Sequence, residues 1–528
     1  MISLTLMKNM NKYHNILSNM KTNKYILLAL AVLSFASCYR DESTDATLPI
    51  AEIFIDGSNL EKVYNIHKND TLIIRPVVTQ SNEALPLSYK WELDQKVVSE
   101  EKDFFYVGNM LGTYSGRLIV ENEDGKAFFT FMLNVNSPYE YGITVLSKDA
   151  DGLPHIAFMQ EPMKEGDKRE FYNENCLEKN NPGEAFSSNP SDIVQTKGTL
   201  IVACQGNDSE EDGAAIYFLN EKTFVVENIV KSKEYKTFKP TKLFTPEESY
   251  DGSAYPVLSA DGKMYSLPTY NAVLQPSHNL LSTYAQTGFV IGNAINNDII
   301  LWDNEANGLV CIYNGYGPYY CGDKYLLTRD QLSEDKYYNE RFKILKGVAT
   351  LAPIKKTATQ TSQSRREVLV LAQAEDHIQR LIISTFFWRH IEGTVADYEI
   401  LVNGGNFSKV SGRNYSLINE NTPCIANETY RTLLFANGNK VMKWKYTGEN
   451  WLNDAVELLS VGSNEAVITS FEISDDHLKT YVAFYEPNQK GKNGSVWVFD
   501  TNNGKVLEKY NNVCYEPVEV FYKKKNQE

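Results

Sequence analysis

The sequence of 528 residues lacks the short motifs that mark the most common enzyme sites. None of its seven histidines is followed by glutamate, and the patterns GxSxG, GxGxxG and GxxxxGK followed by Ser or Thr do not occur. These absences argue against HExxH metalloproteases, serine hydrolases with a nucleophile elbow, and P-loop or dinucleotide-binding enzymes. No catalytic residue, metal ligand or cofactor is therefore predicted.

Basic charge and helical periodicity are also scarce. The formal net charge is −15, and an acidic chain without a basic stripe argues against a nucleic-acid partner. Apolar residues do not repeat at helical spacing over any long stretch, whereas Val, Ile, Thr and Tyr recur in short runs. Aromatic residues make up 12% of the chain, with 33 Tyr and 24 Phe. This composition is typical of strands and predicts an all-β protein.

Cysteine and histidine give little sign of a site. The seven cysteines are too irregularly spaced for a zinc site. Cys311 and Cys321 are close enough in sequence to pair across a loop, and buried free thiols are the alternative. His155 and His390 are interpreted as structural residues with no partner nearby. The turn that begins at Asp500 is interpreted as a hairpin turn rather than a calcium loop.

The N-terminal segment has the layout of a secretory signal. Lys21 and Lys24 precede an apolar run at 26–35, which is about half of the roughly 20 residues that a membrane-spanning helix needs. The sequence Ala36-Ser37-Cys38 then resembles the end of a bacterial lipobox, in which the thiol is lipidated and becomes the first residue of the mature chain. We therefore predict that Cys38 carries the lipid anchor.

The residues after Cys38 are polar and acidic. They resemble the export signal of Bacteroidetes lipoproteins that reach the outer face of the outer membrane, and a plain solvated tether is the alternative. The predicted segments are a signal peptide at 1–37, starting at Met1 or Met20, and an acidic tether at 38–47. The predicted location is the outer membrane, with the lipid-anchored chain facing the cell exterior.

Residues 48–137 have the pattern of a small immunoglobulin- or PKD-like β-sandwich. Trp91 lies where immunoglobulin-like folds bury an aromatic side chain, and Tyr114 lies where they place a corner tyrosine. No cysteine pair accompanies Trp91, which favours a PKD-like or fibronectin-like domain. Core packing of these aromatics is favoured over contact with carbohydrate. The predicted strands are Ile50–Ile55, Thr71–Val78, Leu87–Leu93, Gly112–Val120 and Ala127–Val135.

Residues 138–528, after a boundary at Ser137-Pro138, repeat one unit of two apolar strands joined by a polar turn. About seven hairpins over some 385 residues predict a β-propeller of seven blades, with six and eight blades as the alternatives. The last apolar run, Val518–Tyr522, is predicted to return to the first blade and close the ring. Four clear hairpins begin at Ile216, Ile300, Leu433 and Val496, and three weaker ones have turns at Asp149–Gly152, Asp261-Gly262 and Ala374–Asp376.

Two stretches are candidates for contact with a ligand or partner. The first is a Gly/Pro loop with four tyrosines, because rigid aromatic side chains supply contact area at low entropic cost. The second is an aromatic run at the end of a predicted strand, for which burial is the alternative. For the tyrosine-rich Gly/Pro loop, the alternative is a loop folded over the propeller's own core. The candidate residues are Tyr313, Tyr316, Tyr319 and Tyr320 in the loop, and Trp388 and Arg389 in the run.

The order of these parts resembles the PKD-like family lipoproteins of Bacteroidetes. The resemblance rests on the lipobox at Cys38, the acidic tether, the Trp91 domain with LGTYSGRLIV, and a propeller beginning YEYGITVLS. It implies an accessory surface lipoprotein of a nutrient-uptake complex that works beside a SusC-like TonB-dependent transporter and a SusD-like lipoprotein. The absence of a catalytic motif favours a non-enzymatic binding component, with an oligosaccharide or peptide as ligand. The alternative function is a propeller glycoside hydrolase or lyase, because two carboxylates can meet across strands that are distant in sequence.

Overall fold

The computed structural model describes residues 50–81, 85–162, 169–196, 198–207, 209, 213–231, 235–244, 254–268, 273–276, 289–292, 297–303, 308–313, 323–326, 343–349, 365–374, 376–392, 395–404, 408–427 and 429–525; within some strands between 254 and 404 it describes the backbone alone. The chain divides into two units, one ending at Asn136 and the other beginning at Ser137. Among the described residues, no helix is long and apolar enough to cross a membrane.

The described part of the first unit consists of nine strands and one short 3-10 turn at Gly57–Asn59. One sheet has five strands in the order β2-β9-β8-β5-β6, while β1 pairs with β4 and β3 pairs with β7. The pairing of β2 with β9 is parallel, and the other pairings are antiparallel. The strands are β1 Ile53–Asp56, β2 Val63–His67, β3 Thr71–Ile74, β4 Val77–Gln80, β5 Ser88–Leu93, β6 Lys96–Ser99, β7 Phe104–Val107, β8 Gly112–Glu121 and β9 Lys126–Asn136.

Trp91 is at the centre of the first unit's core, as predicted. Its side chain is 1% exposed, its ring stacks on Phe104 at 4.8 Å, and its indole N–H donates to the carbonyl of Glu101 at 3.0 Å. The Tyr114 hydroxyl donates to the carbonyl of Met110 at 2.9 Å, which ties the start of β8 to the preceding loop. The assignment of this unit to the immunoglobulin- or PKD-like class stays a prediction.

The predicted strand Thr71–Val78 is two strands in the structure. The break falls at Arg75-Pro76, and the halves β3 and β4 pair with different partners. Proline has no N–H to donate to a ladder, so a strand is commonly interrupted or re-paired where it occurs. The prediction also missed β2, β6 and β7, which are only four or five residues long.

The second unit is a β-propeller, and its described strands form seven sheets. We call these sheets blades 1 to 7. Blade 1 contains β10 Gly142–Lys148, β11 Pro154–Gln160 and β37 Glu516–Lys523; a short helix, α1 Cys176–Asn180, follows β11. Blade 2 contains β12 Pro190–Thr196, β13 Thr199–Cys204, β14 Ala215–Asn220 and β15 Val226–Lys231; blade 3 contains β16 Pro240–Leu243, β17 Ala254–Ser259, β18 Met264–Pro268 and β19 Gln275–Pro276.

The remaining blades follow the same consecutive order. Blade 4 contains β20 Phe289–Gly292, β21 Asn297–Asp303, β22 Gly308–Tyr313 and β23 Asp323–Leu326. Blade 5 contains β24 Lys343–Ala349, β25 Arg365–Ala374, β26 His377–Glu392, β27 Val395–Gly404 and β28 Ser408–Lys409. Blade 6 contains β29 Cys424–Asn427, β30 Thr432–Asn437, β31 Lys440–Lys445 and β32 Val456–Ser460, with a 3-10 turn at Leu452–Asp454; blade 7 contains β33 Val467–Ile473, β34 Lys479–Tyr485, β35 Gly494–Asp500 and β36 Val506–Cys514.

The ring is closed by the C-terminal strand, as predicted from Val518–Tyr522. Strand β37 pairs antiparallel with β10, the first strand of the second unit. The buried Lys523 ammonium adds donor bonds to the carbonyls of Tyr139 and Glu140, at 2.7 and 2.6 Å. Both ends of the second unit are therefore joined within blade 1.

All seven predicted hairpins are hairpins in the structure, and each lies in a different blade. They are β10–β11, β14–β15, β17–β18, β21–β22, β25–β26, β30–β31 and β35–β36. In the turn after β35, one Asp500 carboxylate oxygen accepts from the N–H groups of Asn502 and Asn503, both at 3.0 Å. This carboxylate thus stabilises a tight turn, which is the role that the sequence predicts for it.

Apolar side chains fill the spaces between neighbouring blades. One cluster joins blades 1 and 2 around Leu146, Phe158 and Tyr217, and another joins blades 7 and 1 around Val145, Ala483 and Val498. The middle strands of a blade are covered on both faces, so they are continuous apolar runs such as TLIVAC in β13. Among the described cysteine side chains, Cys176, Cys204, Cys424 and Cys514 form no disulfide.

Candidate functional site

The centre of the ring is bordered by the first strand of each blade, with β37 taking that place in blade 1. Such a strand has a sheet neighbour on one side only, so it presents unpaired N–H groups on the other. Strand β37 contacts β33 and β12, and β12 contacts β16. Four inner strands from blades 7, 1, 2 and 3 therefore adjoin one another in this order.

Carboxylates on these inner strands accept hydrogen bonds from the next strand around the ring. Glu472 accepts from the N–H of Tyr522 at 3.5 Å, and Glu519 accepts from the N–H of Ile193 at 3.3 Å. Asp192 accepts from the N–H of Leu243 at 2.6 Å. Each carboxylate thus satisfies a main-chain donor that the edge of the neighbouring blade leaves open.

One ammonium group neutralises part of this charge. The Lys242 Nζ lies 3.0 Å from the Asp192 Oδ1 and 4.0 Å from the Glu519 Oε1. The Asp192 side chain is 2% exposed, whereas 39% of the Lys242 side chain and 27% of the Glu519 side chain are accessible. Water therefore reaches a set of charges that is otherwise enclosed by protein. We call Asp192, Lys242, Glu472 and Glu519 the ring-centre cluster.

The enclosure changes the proton affinity of the cluster. Burial raises the pKa of Glu472 to about 7. Burial also raises the pKa of Glu519 well above its ordinary value, and the neighbouring Asp192 charge adds to this while Lys242 opposes it. Burial alone would lower the pKa of Lys242, but the carboxylates of Asp192 and Glu519 together raise it above its usual value. The cluster can thus hold or release a proton near neutral pH.

The ring-centre cluster was not predicted from the sequence. A shared sequence pattern could have pointed to its carboxylates. Each is a single acidic residue between apolar or small residues within a strand, in SDI, FEI and VEV. An ionised side chain is seldom placed in a strand that is buried on both faces unless it has a partner. Among the described residues, no group of three or more Asp, Glu, His or Cys side chains is arranged to hold a metal ion.

Most of the residues that the sequence predicted as contacts have side chains that the structure does not describe. Tyr316, Tyr319 and Tyr320 lie outside the described residues, as do Cys38 and Cys321. Tyr313 is the last residue of β22, and Trp388 and Arg389 lie within β26, where the backbone alone is described. The contact roles of these residues and the lipidation of Cys38 stay predictions.

The interpretation of His155 as a residue without a partner was wrong. Its Nε2 lies 2.9 Å from a carboxylate oxygen of Asp149, and its ring lies against Tyr515 at 4.5 Å. Asp149 and His155 face each other across the β10–β11 turn, so the partner is only six residues away in sequence. The other Asp149 oxygen accepts from the N–H groups of Asp151 and Leu153, which gives the pair a structural role in the turn.

Comparison with known proteins gives no family. No protein-family model matches the chain, and no curated protein sequence matches it. Among solved structures, it is similar to a quinonprotein alcohol dehydrogenase-like protein from Bacteroides thetaiotaomicron, with 14% identity, a TM-score of 0.41, and coverage of 89% of this chain and 98% of that chain. It is also similar to a periplasmic gluconolactonase from Pseudomonas aeruginosa, with 13% identity, a TM-score of 0.41, and coverage of 73% and 99% respectively. At such identities the likeness concerns the fold alone.

Proposed function

We propose that this protein is a surface-exposed outer-membrane lipoprotein that acts as a non-enzymatic binding component of a nutrient-uptake complex. It is anchored through Cys38 and works beside a SusC-like TonB-dependent transporter and a SusD-like lipoprotein. Its ligand is an oligosaccharide or peptide that is brought to the transporter. A tethered binding protein of this kind is useful because it raises the local concentration of ligand.

The observation that carries this proposal is that the carboxylates of the ring-centre cluster bind main-chain N–H groups. Asp192, Glu519 and Glu472 each hold the main chain of the next inner strand. These charged groups therefore serve the rigidity of the ring, and a rigid ring loses little conformational entropy when its surface binds a ligand or partner. The order of lipobox, tether, small β domain and propeller is the reason for proposing that the protein is anchored to a membrane.

A mild-detergent purification tests the proposal. The full-length protein, tagged after Glu528, is purified from outer membranes, and its companions are identified by mass spectrometry. We expect a TonB-dependent transporter and its lid lipoprotein to co-purify in near-equal amounts. The Cys38→Ala variant, processed under the same conditions, is the matched control for retention through the lipid alone. Purification of a solitary protein would contradict the proposal.

A second candidate function is a propeller glycoside hydrolase or lyase. The observation that favours it is Glu472, whose pKa burial raises to about 7, the range of a general acid or base at neutral pH. Incubation with surface polysaccharides, followed by chromatography of the products, tests it. Depolymerisation that is lost in a folded Glu472→Gln variant would support the enzyme and overturn the binding role.

A further inference from the structure

Two strand pairs of the first unit, β1 with β4 and β3 with β7, have an apolar outer face. Their inner side chains, such as Ile55, Leu72 and Phe104, belong to the core around Trp91, so the alternate positions turn away from that core. Of the eight outward positions, five are large apolar residues between 43% and 57% exposed, two are threonine and one is Asp56. We call these five residues the apolar face; they are Phe54, Ile73, Val77, Phe105 and Val107.

The residues of the apolar face are neighbours within each strand pair. Ile73 lies directly opposite Phe105 in the β3–β7 ladder, and Val107 is two residues further along the same side. Phe54 and Val77 are diagonal neighbours in the β1–β4 ladder. Side chains in such cross-strand positions are close enough to touch. Exposed apolar residues that stand singly are ordinary, whereas a group of neighbours marks a surface that another molecule covers.

The five-stranded sheet of the same unit has a mixed outer face. It carries the ion pairs Arg117–Glu92 and Lys126–Glu121, with N–O distances of 2.9 and 3.0 Å. A polar outer face is expected of an antiparallel sheet that faces water. The exposed apolar residues of this sheet are spread over its strands among polar groups; they are Val63, Val97, Val98, Phe128 and Met132. The apolar face, with five of eight outward positions, departs from this pattern.

Charged residues border the apolar face at the ends of its strands. Three acidic and two basic side chains lie within two residues of these ends, and the Arg75 Nε is 3.5 Å from an Asp103 carboxylate oxygen. Together with Asp56 they make the border slightly acidic, so anionic lipid or another acidic partner would not be attracted by charge. The contact that this surface can make is therefore apolar. The bordering residues are Glu52, Asp70, Arg75, Lys102 and Asp103.

The chain before β1 indicates what covers the apolar face. Cys38 lies fifteen residues before Ile53, the first residue of β1, and a chain of that length extends about 50 Å at most. The residues at 39–49 are largely polar, so they are poorly suited to cover apolar side chains themselves. A lipid on Cys38 would hold the apolar face at a high effective concentration beside the membrane, where weak apolar contacts are enough for binding.

We propose that the apolar face is a docking surface for the lipid bilayer and lies at the boundary between headgroups and acyl chains. Aromatic and aliphatic side chains that share one side of an element enter this boundary by about 5–10 Å. Phe54 and Phe105 supply the rings, and the charged residues at the strand ends stay in water. This inference rests on the lipid anchor of the proposed function and adds a second contact between the first unit and the membrane.

Quenching of fluorescence by brominated lipid tests the docking surface. The chain from Tyr39 to Glu528, with a histidine tag in place of Cys38, is held on phosphatidylcholine vesicles that contain a nickel-chelating lipid, with or without brominated acyl chains. Phe105→Trp adds an indole on the apolar face, and Phe128→Trp adds one at an equally exposed position of the five-stranded sheet (57% and 56%). Brominated lipid is expected to lower the emission added by Phe105→Trp roughly twofold, as insertion to the boundary implies, and to leave the emission added by Phe128→Trp unchanged.

Three results would overturn the inference, in variants that thermal unfolding shows to be folded. The first is quenching that is absent for Phe105→Trp or equal for Phe105→Trp and Phe128→Trp. The second is shielding of the Phe105→Trp indole from acrylamide without vesicles, because another part of the chain would then cover the apolar face. The third is a parent dimer in sedimentation that becomes a monomer in Phe105→Ser, because a second copy would then be the occupant.

Failure of the proposed function is a separate outcome, because the tag replaces the acyl chains and no transporter is present. Selective quenching of Phe105→Trp, together with cellular protein that carries no lipid on Cys38, would keep the apolar face as a lipid-binding surface and remove the proposed anchor.

Discussion

Glu472 brings a carboxylate into the ring centre, where burial opposes its ionisation. The folded protein therefore binds a proton at Glu472 that the unfolded chain releases at lower pH. Glu519 adds to the effect because burial raises its pKa as well. The carboxylates that accept hydrogen bonds from main-chain N–H groups of the next inner strand thus make the stability of the ring depend on pH.

We predict that the second unit becomes less stable as pH rises from about 4.5 to about 7. The pKa of Glu472 is raised from 4.5 to about 7, so the stabilising protonated form is fully present below the lower value and is lost through the higher one. Glu472→Gln, which stays neutral, should show a smaller fall in the urea midpoint between about pH 5 and about pH 8. Glu465→Gln, at an exposed residue before β33, is the matched control and should behave like the parent. An equal fall in Glu472→Gln would contradict this account.

Trp91→Ala is predicted to destabilise the first unit. The side chain is 1% exposed and lies against both Phe104 and Phe131, so its removal leaves a cavity and costs about 3–5 kcal/mol. Urea unfolding, followed by a probe in the first unit, measures this loss. Phe128→Ala removes a ring of similar kind that is 56% exposed, and it should cost far less. Equal losses in the two variants would show that Trp91 is not the centre of this core.

Strand β37 is the element on which closure of the ring depends. It pairs with β10, and it carries Glu519 to blade 2 while its main chain donates to Ser470 and Glu472 of blade 7. It thus joins blade 1 to both neighbouring blades. Its removal would expose the edge of β10 and deprive β10, β12 and β33 of the hydrogen-bond partners that β37 supplies.

A chain that ends at Tyr515 is therefore expected to lose the closed propeller. Rapid cleavage in limited proteolysis and early elution in size-exclusion chromatography would report the open ring. A chain that ends at Lys525 keeps the whole of β37 and is the control. If the shorter chain resists protease as well as the control does, closure by β37 is not what stabilises the ring.

The elements could be predicted from sequence where local chemistry determines them. Each predicted hairpin has a turn rich in Asp, Asn or Gly between apolar runs, and Gly438 and Gly504 have the positive φ that such turns need. Strands of four or five residues were not predicted, because so few residues show no clear alternation of apolar and polar side chains. The ring-centre cluster was also missed, because its members lie on four strands, from Asp192 to Glu519, whose proximity only the closed ring creates.

For the molecule as a whole, the proposed anchor determines where both units work. Cys38 precedes the first described residue, Ile50, by twelve positions. A tether of that length extends about 40 Å at most, so the first unit is kept near the lipid surface if Cys38 is acylated.

Cys38→Ala is predicted to release the protein from membranes. The acyl chains on Cys38 are the proposed anchor, so a variant that cannot be acylated there should leave the membrane fraction. Fractionation with immunoblotting measures release from the membrane, and metabolic labelling with a fatty acid analogue measures acylation. Labelling of the variant equal to that of the parent would place the lipid elsewhere. Retention without labelling would show that a partner holds the protein.

The closure of the ring by β37 has a consequence for how the chain acquires its structure. Lys523 and Tyr139, which meet in blade 1, are 384 residues apart in sequence, so this pairing carries one of the largest loop-closure entropies in the chain. A chain emerges from the ribosome with its N-terminus first, and the strand that completes blade 1 is the last of the described strands to arrive. The first unit can fold early, whereas β10 must wait with one edge open until β37 has emerged. Protection of this open edge in the late intermediate is then a requirement of the topology itself.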